Sequence, residues 1–234
     1  MIASRSAAAN DTRDRIVAAA AGLLAEGGRE AVSTRAVSAA AGGQAPTIYR
    51  HFGDKQGLLD AAAAHGLTTY LATKTNLRPS TDSVEDLRTG WDRHIDFGLA
   101  NPALYSLIYG EPRRGTPPPA AVAAAQMLAR HIHRIAEAGR LRVSEGRAAQ
   151  LVHAAGSGTT LALICLPDEH RDLSLSALAR EAVVAAITTD APASAVPGPV
   201  GAAVALRAVL PQASALSVQE RRLLREWLDR IAGS

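Results

Sequence analysis

Apolar positions recur at helical spacing along most of the chain, and few runs of valine, isoleucine or threonine alternate with polar residues. Ile16, Val17, Ala20, Leu23 and Leu24 form one stripe, with Asp11 or Thr12 as cap and Gly27-Gly28 as stop. Ser33 or Thr34 offers a hydroxyl cap to a short second helix with Val37, Ala40 and Ala41 on its inner side. Gly42-Gly43 stops that helix, since glycine alone enters positive φ without strain. A third short helix is predicted from about Gln44 to His51, with Pro46 tolerated in its first turn. A fourth starts near Asp54 and runs through Leu58, Leu59, Ala62, His65 and Leu67 towards Asn76.

After a break at "RPSTDS" the pattern predicts helices over 83–100, 102–110, 118–139, 144–165 and 171–189, with "GEPRRGTPPP" and "CLPDEHRD" as loops. "DAPASAVPGPVGAA" reads as a proline- and glycine-punctuated linker. Beyond it, Ser217-x-x-Glu220 is a capping box, and Leu223, Leu224, Trp227, Leu228 and Ile231 form one apolar face. That face lies either on its own domain or on a partner.

Composition narrows the function classes. The net charge is only +3 over 234 residues, so a nucleic-acid partner is permitted but not indicated. The basic residues are arginines except for Lys55 and Lys74. No segment approaches the roughly 18 uninterrupted apolar residues of a membrane span, and the first ten residues lack a signal-peptide core. A cytoplasmic protein with no membrane partner is expected. Cys165, between Ile164 and Leu166, reads as a small buried hydrophobe. Catalysis finds no support: there is no Glu-x-x-His pair and no glycine-rich phosphate loop. His131 and His133, two apart, point roughly 200° apart on a helix, and Asp92, His94 and Asp96 share that spacing. "GSG" at 156–158 has no strand before it. No catalytic residue, metal or cofactor is expected.

The stretch "AGGQAPTIYRHFGDK", residues 41–55, holds more chemistry. On a helix Ile48 and Phe52 share an inner face, Thr47 and His51 form a second row, and Pro46 and Arg50 a third. The outer side is then small at its N-terminal end and donor-bearing further along, which suits a helix laid in a major groove. The short glycine turn before it fits a helix-turn-helix. Periodicity alone leaves Tyr49 as either core or surface. Residues 1–60 carry seven basic against six acidic groups, a net of +1, which favours a small shaped site over non-specific coating.

"STRAVSAAAGGQAPTIYRHFGDKQGLLDA" resembles the DNA-binding domain of the TetR family of bacterial transcriptional regulators over about residues 12–70. Thr34, Ala41, Gly42, Thr47, Ile48, Tyr49, His51, Phe52 and Lys55 match its pattern, whereas Gly43 stands for the usual valine and Gln44 for the usual Ser or Thr cap. The resemblance implies an all-α chain in which residues 1–10 are a disordered tail and 11–55 the helix-turn-helix DNA-binding domain. Residues 56–189 would be a larger helical ligand-binding and dimerisation domain, the fourth helix linking the two. Residues 190–234 would be a linker with an appended amphipathic helix. The partners it implies are double-stranded operator DNA, a small-molecule effector and a second copy of the chain. On this resemblance Thr34 binds phosphate, and Arg35 and Arg50 reach bases or phosphates. Ala45, Pro46 and Thr47 face bases, Tyr49, His51 and Lys55 clamp the backbone, and Gln44 belongs to the same DNA-binding set.

"FGLANPALYSLIYGEP" and "LVHAAGSGTTLALI" also resemble family segments. The family pairs through the helices read here at 144–165 and 171–189. This assigns Ala154, Ala155, Gly158, Ala162, Leu178, Ala182, Ala185 and Ala186 to a dimer interface, the alternative being close packing within one chain. Trp91, His94, Phe97, Tyr105, Tyr109, His131 and His153 are candidates to line an effector pocket, the alternative being core packing with satisfied polar tips.

Overall fold

A computed structural model describes the backbone at residues 2–74, 80–111, 115–189 and 198–233, and side chains there except at 2–10, 73 and 74. The fold is all-α, with no named strand among the described residues. The helices are α1 (Ile2–Ala31), α2 (Thr34–Ala41), α3 (Ala45–Phe52), α4 (Lys55–Lys74), α5 (Ser83–Ala100), α6 (Pro102–Tyr105), α7 (Pro119–Glu137), α8 (Glu145–Ile164), α9 (Ser174–Ile187), α10 (Pro199–Val209) and α11 (Val218–Ala232). A π-helical turn, Ser106–Gly110, follows α6. The expected break and loop lie partly outside the described residues, at 78–79 and 112–114, as does most of the linker at 190–197.

Two compact units result, residues 1–77 with 97–123, and 78–96 with 124–234. The boundary therefore differs from the expected one near residue 55: α4 belongs whole to the first unit, together with α6. A Cβ at Gly66 of α4 would lie 2.7 Å from Leu104 Cδ1, so a side chain there requires the Leu104 side chain to shift.

Within the first unit, Ile16, Val17, Ala20 and Leu24 of α1 are buried with Val37, Ile48, Leu58, Leu59, Ala62 and Leu67. Gly27 and Gly28 interrupt α1, the latter at φ 65°, ψ −164°. Residues 2–10, expected as part of a disordered tail, extend α1 instead. Strong helix formers, Ala7 to Ala9, carry α1 back to Ile2, so Asp11 and Thr12 lie inside the helix rather than at its cap.

Ser33 caps α2: its Oγ accepts from the Ala36 N–H at 3.1 Å. Gly42 ends α2 in the left-handed region, φ 64°, ψ 35°. Val37 is buried but Ala40 is exposed, so the inner side of α2 is narrower than expected. Asp54 caps α4, its Oδ1 accepting from the Gly57 N–H at 2.7 Å. Gly57 is itself a packing requirement, because a Cβ there would sit 2.2 Å from the Phe52 carbonyl oxygen.

In the second unit, Leu87, Trp91, Ile95, Ile132, Ile135, Leu141, Leu163 and Ile187 are buried. Arg134 pairs with Asp86 and donates to the Ser80 carbonyl at 2.8 Å, tying α7 to the start of α5. Arg140 reaches Asp82 at 2.8 Å. Cys165 is exposed rather than buried, because Leu163 takes the inner position at the end of α8.

The tail also departs from expectation. Part of the presumed linker is α10, which Pro199 begins from its first turn. Ala203 and Leu210 pack against Leu228 of α11, and Ser217 and Glu220 form the expected capping box. The α11 face is divided: Leu228 and Ala232 are buried, whereas Leu223, Trp227 and Ile231 remain about half exposed.

Gly57→Ala drives a methyl group into backbone that cannot swing aside. It is expected to lower stability by about 1–3 kcal/mol in denaturant unfolding. Gly43→Ala, where a Cβ meets nothing within 4 Å, is expected to change stability little. Equal losses from both would remove the packing argument.

Candidate nucleic-acid interface

α3 is held from below by Ile48, which is 2% exposed, and by Phe52, which is partly buried beneath the Arg13 guanidinium at 5.5 Å from its ring centroid. The other faces of this eight-residue helix therefore turn outward. Pro46, Tyr49 and Arg50 are exposed, and Thr47 and His51 half-buried. Tyr49, 52% exposed, is not a core residue.

The turn into α3 is set by Gly42 and by the Gly43 N–H, which donates to the Ser38 carbonyl at 2.9 Å. Gln44 is the N-cap residue, with extended backbone and no capping bond from its side chain. α3 ends at Gly53, φ 78°, whose N–H donates to the Tyr49 carbonyl at 2.8 Å. Lys55, exposed, then opens α4, and Thr34 and Arg35 open α2, the first half-buried and the second exposed. Thr34, Arg35, Gln44 to Thr47, Tyr49 to His51 and Lys55 thus stand at the first turns of α2 and α4 and on α3 between them.

Residues 16–62 match the family model described as bacterial regulatory proteins, tetR family. The chain carries a TetR-family N-terminal domain. The match spans the core of α1, all of α2 and α3, and the start of α4. Solved structures with a TetR-like fold accompany it. One from Shewanella sp. PV-4, described as a tetR family transcription regulator, is 18% identical, with 76% of this chain and 98% of that chain covered at TM-score 0.58. A TetR variant from Acinetobacter baumannii in complex with minocycline is 22% identical, covering 73% and 90% at TM-score 0.52. The superantigen PfiT is 20% identical, covering 77% and 97% at TM-score 0.53. At such identities the likeness concerns the fold, and the superantigen among them shows that this fold alone does not assign a function. No curated protein matches the chain in sequence.

The seven candidate effector residues divide between the two units of the chain. Phe97 and Tyr105 are buried in the first, in a column of tilted rings: Tyr70 to Phe97 at 5.0 Å, Phe97 to Tyr105 at 6.2 Å and Tyr105 to Tyr109 at 4.7 Å. Tyr70 is the member that sequence reasoning missed. It follows Leu67 by three residues on α4, which was the available signal. Burial pushes the Tyr109 hydroxyl up to about 12.

Trp91, His94, His131 and His153 belong to the second unit. Trp91 is core there, 5% exposed, with its indole N–H donating to Ser176 Oγ at 3.0 Å. Gly156 of α8 approaches it: a Cβ would lie 3.6 Å from both Trp91 Cζ3 and His94 Cδ2. Burial, and after it the positive field of His153, push His94 down to about 4. Burial also lowers His131, which lies beside Gly90.

Of the interface candidates, Ala154, Gly158, Ala162, Leu178, Ala182, Ala185 and Ala186 are exposed and Ala155 is half-buried, with Leu178 at 71%. Leu151 and Leu175 add exposed apolar area to the same two helices, and Leu166 adds more just after α8.

A histidine held neutral when folded favours the unfolded state once protons are available. Its stabilising contribution is therefore complete above about pH 6.5 and lost as pH falls towards 4. His94→Gln is expected to remove a slope worth up to about 3 kcal/mol between those limits, read as the difference between the two proteins' thermal midpoints against pH. Parallel curves would show that His94 does not titrate in this way.

Proposed function

We propose that this chain is a homodimeric transcriptional regulator that binds palindromic operator DNA through α3 and releases it when a small molecule binds. The observation that carries the reading is the division of α3. Ile48 is buried, while Pro46, Tyr49 and Arg50 face solvent on a TetR-family domain. A helix of eight residues does not need Tyr49 and Arg50 outside for folding. Their donors suit phosphates and base edges.

Each element then has a role. Thr34, Tyr49, His51 and Lys55 hold phosphates and fix the register of the domain on the duplex. Arg35, Thr47 and Arg50 supply donors towards bases, and Ala45 and Pro46 present apolar surface suited to a thymine methyl. One such unit reads few base pairs, so selectivity requires two half-sites about one helical turn apart and a symmetric dimer. The exposed apolar surface of α8 and α9, from Leu151 and Ala154 to Leu178 and Ala186, supports this pairing.

The effector is proposed to act through its differential affinity for two arrangements of the DNA-binding units, which is the only means by which binding shifts such an equilibrium. That a protein of this fold holds minocycline supports a helical domain that accepts small molecules. His94 is neutral at pH 7, so a molecule held near it meets no charge there.

The decisive measurement is a gel shift with the promoter DNA beside the chain's own gene. Saturable, salt-dependent binding is expected, and Arg50→Ala should weaken the selected site more than random DNA. Equal losses on both would assign Arg50 to phosphate, and no binding at any salt would end the DNA-binding reading. In sedimentation, Leu178→Glu is expected to yield folded monomers that bind the full site poorly. A Leu178→Glu protein that stays dimeric would exclude α9 from the interface.

A further inference from the structure

α10 and α11 pack on each other as a hairpin. Ala203 of α10 and Leu210 just after it meet Leu228 of α11, with Leu216 and Leu224 beside them, and Arg207 pairs with Asp229 across the two helices. Three contacts seat this hairpin on the first turn of α8 and on the turn before it. Arg207 lies 3.8 Å from Glu145, and Arg147 donates to the Gly233 carbonyl at 3.4 Å. A Cβ at Gly139 would lie 3.9 Å from Ala205 Cβ.

The side that α11 turns away from α10 is apolar. Leu223, Trp227 and Ile231 follow one another at four-residue spacing and form one exposed row. The row ends two residues before Gly233, whose carbonyl meets Arg147. Arg147 stands one turn before Leu151 on α8, at the start of the outward row that Leu151, Ala154, Gly158 and Ala162 continue. The exposed row of α11 therefore ends where the α8 face proposed for pairing begins.

That α8 face is made mainly of alanine and glycine. It lets two backbones approach closely but supplies little apolar area, whereas a stable pair buries about 800 Å² on each partner and is anchored by aromatic side chains. Of the eight aromatic residues, only Tyr49 and Trp227 are exposed, and Tyr49 stands on α3. Trp227 is thus the aromatic side chain available to anchor pairing through α8. The charges of α11 do not favour an anionic lipid surface instead. Arg221, Arg222, Arg225 and Arg230 stand against Glu220, Glu226 and Asp229, a net of only +1, and Arg222 lies 3.6 Å from Glu226.

We infer that Leu223, Trp227 and Ile231 of α11 extend the pairing face of α8 and α9 and are covered there by a second copy of this chain. This rests on the homodimer reading given above.

The test follows the full-length chain by sedimentation velocity over a range of concentrations, together with acrylamide quenching of tryptophan emission. Trp91 is buried, so the quenchable emission reports Trp227. In the wild type this quenching is expected to be lost as the dimer forms. Trp227→Glu and Ile231→Glu are each expected to raise the dimer dissociation constant about tenfold or more, with unchanged far-UV circular dichroism. Arg225→Glu, on the other side of α11, should leave it unchanged. A wild-type dimer whose Trp227 stays open to acrylamide overturns the inference and leaves pairing through α8 and α9 standing. A dimer that both glutamate variants preserve does the same. A wild type that is monomeric at every concentration removes both readings. Shielding of Trp227 only when phosphatidylglycerol vesicles are added assigns the row to a lipid surface and overturns its assignment to a second copy.

Discussion

Everything the first unit presents outward depends on one close approach, that of the first turn of α4 against the last carbonyl of α3. Gly57 makes this possible, since any side chain there would overlap the Phe52 carbonyl oxygen. Asp54 satisfies the exposed end of α4 in the same turn, and Gly53 leaves α3 through a conformation few other residues accept. With the C-terminal end of α3 fixed in this way and Ile48 buried beneath it, eight residues hold a defined orientation although so short a helix is unstable alone. Precision at the surface is thus supplied by backbone contacts rather than by the side chains presented.

The second unit is organised by a different constraint, the satisfaction of polar groups inside an alanine-rich packing. Trp91 is admitted because Ser176 accepts its indole proton, and Arg134 is held by Asp86 and a main-chain carbonyl at the start of α5. Near the surface, Arg88 and Arg180 share Glu181, and Arg180 also meets Asp92, joining α5 to α9. Single exposed ion pairs contribute little, but planar guanidinium groups bridging two carboxylates restrict how the helices slide. His94 is the exception, a titratable ring kept neutral by its surroundings.

Periodicity made the helices of this fold legible because each amphipathic stripe repeats over several turns, as Ile16 to Leu24 does. It failed where a stripe was absent or ambiguous. Residues 2–10 lack a stripe yet extend α1, and Pro199 looked like punctuation although it starts α10. The outward face of α3 was readable from Ile48 and Phe52, but Tyr49 was not, because an aromatic residue one step from a buried isoleucine fits either side. The candidate effector residues were chosen by chemical type, and type does not encode partners. Trp91 is buried with its indole N–H donating to Ser176, a partner its type did not announce, and Tyr70 was overlooked for the same reason. Cys165 shows the same limit at a helix end, where one position decides between inside and outside.

The near absence of lysine has a practical consequence at the surface of the first unit. Only Lys55 and Lys74 carry side-chain amines, and Lys55 stands exposed at the first residue of α4, beside α3. Reagents or enzymes that acylate amines therefore find two side chains in the whole molecule, one of them on the face assigned to the duplex. Neutralising that single group would alter this face selectively, leaving the arginine pairs that bind α5 to α9 chemically untouched.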